Sequence, residues 1–175
     1  MNKTISKIFF NKKAMITTKI NVTPYLAEYI KSKFNCLSDE PLKIPDAEDL
    51  YHVIWKLMVK RPDGISPIDT GNLAIILPER RVGKDPMYYN YLSPRSQNII
   101  EKYISRHFNN ELHQMLEENE QNGRPLNNID VVHQFMCVYN IDSITEDALL
   151  KNYYRWRDLV RRKDRRREYK RRYKP

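Results

Sequence analysis

The chain has 175 residues, with 31 Lys or Arg against 22 Asp or Glu and a net charge of +9. At 41% hydrophobic it has enough apolar side chains for a core and is not disordered as a whole, and no apolar run reaches the roughly 18 residues of a membrane span. Two cysteines, Cys36 and Cys137, without C-x-x-C spacing exclude a disulfide framework and a zinc ribbon; two buried thiols in a reducing cytoplasm are the expectation.

Residues 1–14 read as an extension. Lysines flank the short apolar patch Ile8-Phe9-Phe10, which is too brief for a signal-peptide core. A mainly helical α+β body is expected over 15–125. Its β-branched, alternating start at 15–22 predicts a strand. Thr23-Pro24 is a cap followed by proline in the first turn, and Leu26, Ile30 and Phe34 continue it as one apolar stripe of a helix over 24–34. Pro41 and Pro45 punctuate a loop. Asp46 is placed to cap a second helix with Leu50, Val53, Ile54, Leu57 and Met58 inward, ending at Pro62.

Residues 61–92 hold three of the four glycines and read as a small β-loop region, with strands at 73–77 and 88–92. Ser93-Pro94 repeats the cap-plus-proline start. From there Ile99, Ile100, Tyr103, Ile104, Phe108, Leu112, Met115 and Leu116 sustain a 3.6-residue period to residue 121, where Asn122-Gly123 stops the helix. This long helix is the candidate element for a homodimer. Asn128 caps a short helix to about Tyr139, Asn140 is a left-handed stop, and Ser143-x-x-Glu146 fits a capping box that opens another long helix.

That last helix carries the charge. Residues 151–175 contain 13 basic residues against three acids, +10, whereas residues 1–150 hold 18 against 19. A near-neutral body ending in a concentrated cation points to a polyanionic partner, nucleic acid above all. At 100° per residue, Leu149, Tyr153, Trp156 and Val160 fall within about 60° of one another as an inward stripe, opposite Lys151, Arg155, Arg162 and Arg166. Beyond Val160 the apolar period ends, so residues 161–174 are expected as frayed helix or disordered tail, with a tail boundary at 163. Tyr154, Tyr169 and Tyr173 among the arginines are candidates to stack on unpaired bases, which keeps single-stranded DNA or RNA open as a ligand.

The helix pair over 128–162, joined by a short turn, its second member basic and partly exposed, resembles the helix-turn-helix of small DNA-binding proteins of bacterial phages and other mobile elements. The resemblance implies a DNA-binding hairpin over 126–162 with a regulatory or DNA-handling role. From the residues, Glu146 and Asp147 suit the helix dipole but repel phosphate, so base contact is expected a turn further in, from Lys151, Asn152, Tyr154 and Arg155. Arg155, Arg161, Arg162, Arg165 and Arg166 would neutralise phosphates.

Catalytic patterns are thin. Asp69-Thr70-Gly71 occurs once, where an aspartic protease needs two such carboxylates. Asp63, Asp69 and Glu79 form the alternative reading, a metal-dependent nuclease. A third is an assembly protein whose tail holds RNA or an acidic partner. No histidine stands in H-E-x-x-H, Val82-Gly83-Lys84-Asp85 lacks the frame of a phosphate loop, and no cofactor or resident metal is implied.

Overall fold

A computed structural model describes residues 15–36, 40–67 and 70–172. In chain order the elements are β1 (Thr17–Ile20), α1 (Pro24–Lys33), α2 (Asp49–Leu57), β2 (Leu73–Ile76), α3 (Pro94–Gln121), α4 (Asn128–Tyr139) and α5 (Glu146–Arg172). The fold is mainly helical α+β.

β1 and β2 pair antiparallel, Thr17 opposite Ile76 and Ile20 opposite Leu73. Gly71 makes the approach to this pair feasible. Its φ is +151°, and a Cβ there would stand 2.5 Å from the Ile20 carbonyl oxygen. Leu42 adds a parallel bridge to Ile75. The strand expected at 88–92 is reduced to a single bridge between Val59 and Tyr91. Turn residues at 86–88 leave too little extended chain for a ladder.

α3 is the central support and packs against α1, α2 and α4. Its inward residues Ile100, Ile104, Phe108, Leu112 and Leu116 are all buried, and the Ser93 hydroxyl accepts the Ser96 N–H at its start. Ile99, counted in the inward set from sequence, turns outward. The core closes on an aromatic cluster. Phe108 meets Tyr29 and Phe135 edge-on at centroid distances of 5.2 and 5.3 Å, and Tyr139 packs on Tyr29 at 4.8 Å.

Four caps differ from the sequence reading. The N-cap of α4 is Asn127, without a side-chain cap bond, and Asn128 is already the first helical residue. α2 begins after Glu48 rather than Asp46, two residues later. Thr23 does not cap α1 through its side chain, because its hydroxyl and N–H both donate to Glu101 on α3. At α5 the capping oxygen is Thr145 Oγ1, which accepts from Ala148 N at 3.3 Å. Ser143 is occupied elsewhere: with the Asp142 N–H it donates to Glu28 of α1, which latches the α4–α5 turn onto the body. The predicted left-handed stop is present, with Asn140 at φ +50°. One buried cluster runs from Ile20 to Tyr153 and joins both strands and all five helices.

The sequence reading expects two buried thiols, but the two cysteines are not both buried. Cys36 is half-buried, and Cys137 is exposed on the outer face of α4 beside the exposed Val138. Among the described residues, no helix is long and apolar enough to cross a membrane.

Candidate nucleic-acid interface

α5 changes character along its 27 residues. Its first half is anchored. Leu149 and Tyr153 are buried, Trp156 and Val160 are half-buried, and the inward stripe read from the sequence is the one that packs. Its second half is not anchored, for residues 161–169 are all exposed. The helix nonetheless continues to Arg172 instead of ending near Val160. Arg, Lys and Glu are good helix formers, and pairs such as Arg172 with Glu168 at 2.6 Å bridge successive turns. Absence of a core face therefore did not end the helix.

All eight candidate contact residues lie on the described part of this helix and all are exposed, but they are not equivalent. Arg155, Arg161, Arg162, Arg165 and Arg166 have no acidic partner among the described residues. Arg155, Arg162 and Arg166 form the outer ridge, at a rise of about 1.5 Å per residue, and Arg161 and Arg165 flank it on the Tyr154 side. Lys151 belongs to the same ridge, yet its ammonium is 2.6 Å from Asp147. Nucleic acid would have to compete with that exposed pair, which costs little. The acidic start of α5 is thus partly engaged within the protein: Asp147 is neutralised by Lys151, and Glu146 is in contact with His133 Nδ1 at 2.7 Å.

Asn152 and Tyr154 are separated by the ridge, about 160° apart around the helix. Asn152 turns to α3, where its amide donates to Asn109 Oδ1 at 3.0 Å. Tyr154 turns to the start of α4, where Asn128 reaches its hydroxyl at 3.4 Å. The two cannot address one base edge together. Arg157, which the sequence did not single out, is held inward by Glu120 at 2.9 Å and lies over the Tyr154 ring at 4.8 Å. It positions Tyr154 and joins α5 to α3.

Two further clusters escaped the sequence reading. Glu111 accepts hydrogen bonds from Tyr29 (2.8 Å), Tyr139 (2.9 Å) and Lys33, which ties α1, α3 and α4 together. Burial alone would raise the Glu111 pKa, but these donors outweigh it and hold the carboxyl below its ordinary value. Burial, and then the Glu111 bond, push the Tyr139 hydroxyl up to about 12. The second cluster is on α4, where His133 Nε2 is 3.5 Å from Cys137 Sγ while its other nitrogen faces Glu146. The i, i+4 spacing of His133 and Cys137 was visible, but the Glu146 contact depends on the α4–α5 turn.

The 61–92 acids fare differently. Asp69 lies outside the described residues. Among those described, no three His, Cys, Asp or Glu side chains converge as metal ligands. Arg80, next to Glu79, stacks 4.3 Å from the Trp55 ring, and Lys84 donates to the carbonyls of Trp55, Lys56 and Met58. Lys84 thus finishes the C-terminal end of α2 and Arg80 packs along its side, a structural use of the loop charge.

No protein-family model, curated protein or solved structure matches the chain, so its chemistry is argued from its own residues.

Proposed function

We propose that this protein binds nucleic acid, DNA being the expected ligand, through the basic helix α5 and Lys174 beyond it, in a regulatory or DNA-handling role. The observation that carries this is the outer ridge of α5. Five guanidinium groups without acidic partners among the described residues stand on one helix that is fixed at its base by Leu149 and Tyr153. A body of near-zero charge has no need of such a ridge for folding, and its self-repulsion is relieved by a polyanion.

The helix pair α4–α5 is the contacting unit in this reading. Helix-turn-helix docking, with α5 against a groove, is its finer form. The ridge follows phosphates, while Asn152 on one flank and Tyr154 on the other meet whatever lies beside the strand. Phosphate contacts of this kind give strong, salt-dependent and largely sequence-independent binding.

A competition experiment tests the proposal. Fluorescence anisotropy of the full chain on a labelled duplex is followed as unlabelled DNA, RNA or polyglutamate is added at fixed salt. Displacement by nucleic acid at far lower charge concentration than by polyglutamate is the expected result. Equal displacement by polyglutamate would replace nucleic acid with an acidic protein partner. Mg²⁺-dependent loss of the labelled strand would make the protein a nuclease.

A further inference from the structure

α3 and α5 enclose a groove of about 400 Å³, lined on the α3 side by Lys102, Arg106, Asn109 and His113 and on the α5 side by Asn152 and Trp156. Its volume is within the roughly 300–1,000 Å³ of small-ligand sites. Its residues are of three kinds. Lys102 and Arg106 are exposed cations one turn apart. Asn109 and Asn152 face each other across the groove, joined by one hydrogen bond of 3.0 Å; the Asn109 amide also donates to Ser105 at 3.5 Å, which leaves one N–H on each amide and the Asn152 carbonyl oxygen unused among the described residues. Trp156 and His113 supply flat rings, 4.3 Å apart and inclined by 31°.

His113 makes this more than a polar crevice. It is only 5% exposed, and its enclosed Nε2 has no hydrogen-bond partner among the described residues. Leaving such an atom unmatched is costly. A buried polar atom of this kind calls for an explanation. Burial also holds the imidazole pKa below its ordinary value, so the ring is neutral and keeps both a donor and an acceptor nitrogen.

We infer that this groove takes one unpaired nucleotide of the nucleic acid that α5 binds, its base against Trp156, its edge on the Asn109–Asn152 amides and its phosphate at Lys102 and Arg106. The inference rests on the nucleic-acid reading of α5. Flat face, hydrogen-bonding edge and adjacent anion occur together in a nucleotide. A free phosphate has no use for the indole, and a base inside a duplex cannot offer its face. The groove opens on the Asn152 flank of α5, so a strand lying along the arginine ridge passes its mouth.

The test uses the full chain, labelled duplex DNA, and single strands of DNA and RNA. The wild type is expected to prefer a single strand to duplex at equal salt; the DNA and RNA arms show which one supplies the nucleotide. Arg106→Ala/Asn109→Ala is expected to weaken single-strand binding about ten-fold, with duplex affinity within about two-fold of wild type. In a Trp55→Phe background, Trp156 is the sole indole, and single strands but not duplex should quench it. Equal losses on strand and duplex, or no loss with unquenched Trp156, would overturn the groove while leaving α5 as a binding helix. Absence of all oligonucleotide binding by the wild type would overturn both.

Discussion

α3 and α5 are almost equal in length, 28 and 27 residues, and are stabilised in different ways. α3 has buried residues from Ser96 to Asn119, nearly its whole span. α5 has them only to Tyr153 and then runs outward as an exposed cationic rod. One helix is held by tertiary burial. The outer half of the other depends on intrinsic propensity and exposed pairs such as Arg167–Asp164 and Arg172–Glu168, each worth a few tenths of a kcal/mol. A helix built in that second way contributes little to folding and presents charge at a fixed spacing. The division of labour is therefore between a body that folds and a ridge that binds.

Substitutions on each side should give opposite signatures. The largest effect is expected from Phe108→Ala, which opens a cavity where α1, α3 and α4 meet. It should cost about 3–5 kcal/mol in urea denaturation. A smaller loss would mean that the aromatic cluster is less central than its contacts with Tyr29 and Phe135 imply.

Glu111→Gln comes next. The carboxylate has its pKa depressed in the folded protein, so its contribution is complete above the ordinary value of 4.5 and is lost as pH falls through the lower folded value. At neutral pH the variant should be less stable by about 1–3 kcal/mol. Thermal melts across pH 2–7 should show that gap closing below about pH 4.5, since the wild type alone gives up this contribution there. A gap independent of pH would contradict the assignment of the Tyr29–Tyr139–Lys33 network to the charged form.

The smallest effect on stability belongs to Arg162→Ala on the ridge. Its midpoint in urea should be unchanged within about 0.5 kcal/mol, as for most exposed positions. Its salt slope for DNA binding should fall by about one. Destabilisation comparable to that of Phe108→Ala would erase the distinction between body and ridge.

The parts of this arrangement that were legible in sequence are those written locally. Ser93-Pro94, Asn140 and the apolar periods of residues 100–116 and 149–160 each announce an element through chemistry within a few neighbours. The ridge itself was legible, because period and charge coincide in α5. What was not legible depends on distant partners. Ser143 has a capping sequence, but Glu28 takes its donors and Thr145 caps instead. Thr23 likewise turns to Glu101. The groove needs Asn109 and Asn152, 43 positions apart, and α3 shows only a mixed polar face until α5 is laid beside it. Continuation of α5 to Arg172 was missed for another reason: the absent core face was weighed and helix propensity was not.

The most direct measurement of the central claim is the salt dependence of duplex binding by the full chain and by a 1–160 truncation that keeps the anchored half of α5. Ten of the 13 basic residues of the last 25 lie beyond residue 160. If the exposed rod is the binding element, the plot of log affinity against log salt should be shallower for the truncation by about four or more, at roughly 0.9 per phosphate released, with the thermal midpoint nearly unchanged. Equal slopes for the two chains would contradict it and move the interface onto the body.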